Sequence, residues 1–141
     1  MIRAMRDTDA SALARLFLSE RQQTFHWVDP SLFLLNDFFE QTRGERVWVA
    51  EDAGSLCGFI AIWAQESFIH HLYVSREFRG QGFGRALLEK GLADLDKPAS
   101  LKVSSLNTPA LAFYRRLGWI DADDSGHCDI TGPWQRLVFS G

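Results

Sequence analysis

One stretch constrains this chain more than any other: Leu72 to Leu88, which reads Leu-Tyr-Val-Ser-Arg-Glu-Phe-Arg-Gly-Gln-Gly-Phe-Gly-Arg-Ala-Leu-Leu. It begins as the end of a strand, passes through a short loop and opens a helix near Gly82. Gly80, Gly82 and Gly84 alternate at the join, separated by Gln81 and Phe83. Glycine permits positive φ and lets backbone amides come close to a ligand. A helix start adds unpaired N–H groups and the positive end of a dipole. Together they make a site for a phosphate or pyrophosphate. Arg79 and Arg85 flank the turn and add positive charge.

The loop is neither of two common phosphate binders. A Walker A loop needs Gly-Lys-Ser/Thr after four intervening residues, and the chain has none. In the dinucleotide pattern G-x-G-x-x-G the last glycine would fall on Arg85 in one frame and on Leu87 in the other. What stands is Arg79-x-x-Gly82-x-Gly84.

The order of elements follows from periodicity. Residues 2–6 make a short strand, and Asp7 can cap a helix whose stripe is Ala10, Leu13, Ala14 and Phe17, running to about Arg21. Residues 22–29 are aromatic and lack a helical period. Asp29-Pro30 opens a second helix, with Leu35, Phe38 and Phe39 on its apolar face, ending near Gly44. Strands are expected at Arg46–Glu51, Leu56–Ala64 and Phe68–Val74, the middle one so apolar that both its faces should be buried. The glycine-loop helix presents Leu87, Leu88, Leu92 and Leu95, and Pro98 keeps it from continuing. Ser100–Leu106 is a strand parallel to the one before that helix. Thr108 caps the last helix, Pro109 takes its first position, Ala110, Phe113, Tyr114 and Leu117 form its stripe, and Gly118 ends it. Trp119–Ala122 and Gln135–Phe139 are terminal strands joined by a polar loop.

With this order the chain resembles the GCN5-related N-acetyltransferases (GNAT), which carry Gln/Arg-x-x-Gly-x-Gly/Ala after a strand ending in Val. The resemblance runs along essentially all 141 residues. It implies one α/β domain over 1–141, with a mixed, mainly antiparallel sheet of six or seven strands and helices on both faces. It also implies that the loop amides hold the pyrophosphate of acetyl-coenzyme A. In that family the strands corresponding to Phe68–Val74 and Ser100–Leu106 splay apart, so backbone groups of Leu72, Tyr73 and Val74 would bond the pantetheine arm and polarise the thioester. Asn107 and Tyr114 stand where the family places an Asn for that arm and a Tyr for the leaving sulfur.

Acetyl transfer to a primary amine by direct attack in a ternary complex requires a neutral amine and a protonated leaving thiolate. Tyr114 is the candidate acid. The candidate base is His70; on a regular strand it shares a face with Phe68, Leu72 and Val74, and His71 points the other way. Phe25, Trp27 and Asp29 are candidates for the acceptor pocket, with Glu20 or Asp29 able to hold a cationic amine. The rivals are a catalytically silent acyl-CoA-binding module and an enzyme that uses a different acyl-CoA. The acceptor is a small-molecule amine or a peptide, and an acidic protein with an aromatic loop leans to the former.

Charge and composition narrow the classes further. A net charge of −3 offers no footprint for nucleic acid. The apolar runs are far too short for a membrane span, and the first residues lack the apolar core of a signal peptide. Cys57 and Cys128 show no paired spacing, which points to free thiols in the cytoplasm. The four histidines and two cysteines show no metal-ligand spacing, so no metal is expected. His127-Cys128-Asp129 reads as a loop, because no glycine elbow precedes it. Oligomeric state is not legible, and a homodimer is compatible with everything above.

Overall fold

The computed structural model describes residues 1–141. The strands are β1 (Ile2–Ala4), β2 (Arg46–Asp52), β3 (Ser55–Trp63), β4 (Phe68–Val74), β5 (Ala99–Ser104), β6 (Ile120–Cys128) and β7 (Gly132–Phe139). They form one sheet in the order β1-β2-β3-β4-β5-β7-β6, with every neighbouring pair antiparallel except β4 and β5. The helices are α1 (Ala10–Thr24), α2 (Asp37–Gln41), α3 (Phe83–Ala93) and α4 (Thr108–Arg116).

The apolar run of β3 sets the layers. Cys57 to Ile62 are all buried, because helices cover both faces of this strand. Phe59 and Ala61 pack with Phe17 of α1 and Phe38 of α2. Ile60 and Ile62 pack with Leu87 and Leu88 of α3 and with Leu111 and Tyr114 of α4. Alternation along one strand thus divides the protein into two cores. The one beneath α3 is the larger, with 15 buried residues against 8. The helix that opens at the glycine loop is therefore seated on the better-anchored face.

Several boundaries differ from the sequence expectation, each for a local reason. Helix α1 runs to Thr24, and Asp7 does not cap it; Asp9 reaches back to the Arg6 amide at 2.8 Å and pairs with Arg3. The expected second helix is divided. A single turn at Pro30–Leu32 is capped by Asp29, and α2 starts only at Asp37. Asp37 holds the chain between them by accepting from the Leu34 amide at 2.9 Å and pairing with Arg21. Asn107, rather than Thr108, caps α4, accepting from the Ala110 amide at 3.3 Å. The polar loop expected before β7 is mostly strand. β6 extends to Cys128 and pairs along β7, with an irregularity between Asp121 and Ser125.

Gly58 of β3 sits opposite Val74 at the end of β4 that leads into the glycine loop. A Cβ there would lie 2.4 Å from the Tyr73 carbonyl oxygen, a backbone atom that cannot swing aside. Gly58→Ala is therefore expected to cost about 1–3 kcal/mol by overpacking, read as a fall in thermal midpoint. Wild-type stability would show that β3 and β4 separate more easily than their pairing indicates.

Candidate functional site

Strands β4 and β5 are coupled by two residue pairs, Phe68 with Ser100 and Ile69 with Leu101. Beyond Ile69 they part, while β4 stays paired to β3 as far as Val74 and β5 stays paired to β7. The result is a wedge with one strand's backbone exposed along its side. The Ser75 amide donates to Cys57 of β3 at 2.7 Å. By the alternation of an antiparallel ladder, Tyr73 also faces β3, and Leu72 and Val74 turn their N–H and C=O groups into the wedge.

The wedge opens into a cleft of about 890 Å³. Its floor is Leu72 to Val74, one wall is the glycine loop with Phe83, and the other is the start and inner face of α4, from Leu106 to Tyr114. Gly80 and Gly82 hold φ of 79° and 89°, which bend the chain so that α3 begins with no side-chain cap. The free N–H groups of its first turn therefore remain available to a ligand. Gln81, expected to join them, does not line the cleft.

The cleft's electrostatics are one-sided. Four arginines line it (Arg76, Arg79, Arg85 and Arg116) and no carboxylate does, in a chain whose net charge is −3. Two of the four are already engaged. Arg79 pairs with the sealed carboxylate of Glu20 on α1 and donates from Nε to the Val74 carbonyl at 3.2 Å. Arg85 pairs with Glu89 one turn along α3, an exposed contact worth about 0–1 kcal/mol. Arg76 and Arg116 have no carboxylate partner. They are the free cations of the cleft, and sequence reading missed both. Glu20, expected to be able to hold a cationic amine, is instead the counter-charge that fastens the glycine loop to α1.

Tyr114 and Asn107 stand together on the α4 wall. Asn107 commits its Oδ1 to the helix cap, which leaves its amide NH₂ to the cleft. Tyr114 is buried beside Phe113 and Trp119, and its hydroxyl has no protein partner. Burial opposes the phenolate and pushes its pKa up, with the neighbouring Tyr73 adding to the effect. The group holds its proton throughout the neutral range and can offer it as a hydrogen bond.

The aromatic segment after α1 closes the open end. Trp27 lines the cleft with Gln23, Thr24 and His26, and its Nε1 donates to the Thr131 carbonyl in the β6–β7 turn at 2.9 Å. This bond joins positions 104 residues apart across the mouth. Phe25 does not line the cleft. It packs edge-on against Trp27, with ring centroids 5.5 Å apart, and supports it from behind. Asp29 also lies outside, its Oδ1 taken by the amide and hydroxyl of Ser31, which hold its pKa down.

His70 is where the regular-strand expectation fails. Ile62 pairs with Ile69 and Ala61 with His71, so His70 is an extra residue bulged out of β4. A bulge resets the alternation. Ile69, in place of His70, packs into the α3-side core that Leu72 and Val74 also flank, and both histidines fall on the α1 side. Their rings stack with centroids 3.8 Å apart, and His70 Nδ1 lies 2.7 Å from Glu45 Oε2. His71 is buried against Phe17, and desolvation holds it neutral, its pKa well below the usual histidine value. The donor atoms of Glu45, His70 and His71 lie within 4.8 Å of one another. That is looser than the roughly 3.4 Å that separates ligand atoms around one tetrahedral zinc ion. His70 itself does not line the cleft; it stands just past the vertex of the wedge.

Residues 11–119 match the family described as the Acetyltransferase (GNAT) family. The chain is 34% identical over 84 residues to a 5-NmdU N-acetyltransferase of Pseudomonas phage PaMx11, covering 56% of this chain and 60% of that one. It is 29% identical over 105 residues to the peptidyl-lysine N-acetyltransferase YjaB of Salmonella typhimurium, covering 74% and 68%. Across four such relatives the matched segment spans 43% to 68% of their length. The solution structure of apo YjaB from Escherichia coli superposes with a TM-score of 0.79 at 22% identity, over 100% of this chain and 97% of that one. At that identity the likeness is one of fold.

The burial of both tyrosines can be read directly, since the chain has only two. Burial raises Tyr73 to about 12 and pushes Tyr114 up as well. The unfolded values are about 10, so the folded state resists ionisation. Stability is then complete below pH ~10 and falls as pH rises above it. Tyrosinate absorbance should appear near pH ~10 in denaturant and be absent there in the native protein. A native titration at the denatured midpoint would show the phenols open to bulk water.

Proposed function

Because this chain belongs to the acetyltransferase (GNAT) family, we propose that it transfers the acetyl group of acetyl-CoA to a primary amine by direct attack in a ternary complex. The observation that carries this is the cleft itself. An uncapped helix start, two unpaired arginines, an exposed strand edge and a protonated tyrosine line one space that contains no carboxylate. The α3 amides with Arg76 and Arg116 take the phosphates of the cosubstrate. The free wedge-facing groups, the N–H and C=O of Leu72 and the N–H of Val74, pair with the pantetheine amides as a neighbouring strand would, and a backbone N–H there polarises the thioester carbonyl. The Asn107 NH₂ steadies the same arm.

The reaction balances as follows. The amine lone pair forms the new C–N bond to the carbonyl carbon, and the C–S bond breaks as the tetrahedral adduct collapses. Tyr114 gives its proton to the departing sulfur and recovers one from water, as the base releases one. The proton lost by the amine leaves through water towards His70, the first residue beyond the strand vertex. The products are an N-acetylated amine and coenzyme A. The acceptor enters beside Trp27, His26 and Gln23, an aromatic and polar wall without carboxylates, suited to a small amine. A silent acyl-CoA-binding module would keep the cleft and lack the turnover.

Thiol release from acetyl-CoA against a panel of amines, polyamines, amino acids and peptides tests this. One amine class should support release, and Tyr114→Phe should lower kcat by about a hundredfold while acetyl-CoA still raises the thermal midpoint. Stabilisation by acetyl-CoA with no release from any acceptor would establish the binding module instead.

Trp27→Ala removes both the indole wall and its bond to the hairpin. It should raise KM for the amine with KM for acetyl-CoA unchanged. An unaltered acceptor KM would remove the α1–α2 segment from the acceptor site.

A further inference from the structure

The bulge in β4 brings together three groups that the cleft does not use. Glu45, one residue before β2, has a side chain 7% exposed, and its Oε1 has no partner in the protein. Its Oε2 meets His70 Nδ1 at 2.7 Å. His71 lies flat against the other face of the His70 ring, and its own Nε2 is buried without a partner. Phe17 closes the α1 side, with its ring 4.8 Å from that of His71. Arg21, the nearest cation on that helix, is spent on Asp37.

We propose that Glu45 is the positioning residue of a Glu45–His70 dyad that receives the proton of the attacking amine. The inference rests on the acetyl-transfer reading above. An ionised carboxylate only accepts hydrogen bonds, so a neutral His70 bonded to it carries its proton on Nδ1. The lone pair is then on Nε2, which has no protein partner and belongs to a side chain 35% exposed. Solvent cannot displace the sealed carboxylate, and stacking on His71 restricts rotation on the opposite side. The ring is thus held in one tautomer and one orientation. Its place is also apt. Ile69 is the last residue of β4 to pair with β5, and His70 follows it. Leu72, the first backbone to face the wedge, lies two residues on, about 6.6 Å along a strand. Two waters in series, with hydrogen bonds of about 2.8 Å each, would span that separation.

The test is a double-mutant cycle in the thiol-release assay, with the amine that performs best in the panel. Glu45→Gln keeps the shape of the side chain, and His70→Ala alters a partly exposed ring. Each should lower kcat tenfold or more with KM for acetyl-CoA unchanged. The double variant should be no slower than His70→Ala alone, because Glu45 acts through His70. Nitrogen-15 NMR of the His70 ring should show the Nδ1-protonated tautomer in the wild type and lose it in Glu45→Gln; this readout needs no turnover and stands even if a variant is unstable. Independent, multiplying effects would make Glu45 merely structural and overturn the proposal. So would a mixed His70 tautomer in the wild type. Wild-type rates in His70→Ala beside an impaired Tyr114→Phe would overturn the dyad and leave acetyl transfer standing. Absence of thiol release from every form would overturn both.

Discussion

Two residue pairs hold the halves of this sheet together, and the rest of the molecule depends on how few they are. Unpaired backbone polar groups in a sheet interior are costly. Here they are tolerated because β4 is tied to β3 on one side, β5 to β7 on the other, and the space between opens to a cleft. The N–H and C=O of Leu72 and the N–H of Val74 are therefore kept available at the depth of the core, while the Val74 carbonyl takes the Arg79 guanidinium. A side-chain donor would need its rotamer fixed, whereas a strand edge is already fixed by its other neighbour.

The glycine loop completes the wedge, but its arginines divide the labour in an unexpected way. Arg79 is tied to a buried carboxylate and to a carbonyl, so it fastens the loop to α1. Leaving Glu20 without that partner would strand a buried charge. Positive charge for a ligand instead comes from Arg76 and Arg116, on opposite walls. The loop's geometry is thus secured from outside the cleft, and its amides and the two free guanidinium groups are left for binding.

Much of this was legible in the residues. The three glycines, the buried run of β3 and the stripe of α4 each depend on neighbours within a few positions, and their order, through the family resemblance, implied a sheet of six or seven strands with helices on both faces. Tyr114 and Asn107 were singled out by the family resemblance, since by its own period Tyr114 reads as one more member of the apolar stripe of α4. The expectation that His70 shares a face with Leu72 and Val74 failed because strand alternation holds only while no residue is inserted, and the bulge is visible only in the partner register of β3. Arg116 escaped notice because, by sequence, it is one of two arginines at a helix end. Its neighbour Arg115 turns outward to Asp121, whereas Arg116 reaches the cleft.

By itself, then, the sequence determined most of the elements, their order and the glycine turn that opens α3, since φ preference, side-chain period and helix ends are short-range properties. The tertiary structure decided which backbone groups are free, which arginines keep their charge for a ligand, and that Glu45 meets His70 across 25 residues of chain. Those outcomes are set by pairings between segments distant in sequence. Whether a polar group has a partner depends on what the fold brings to it.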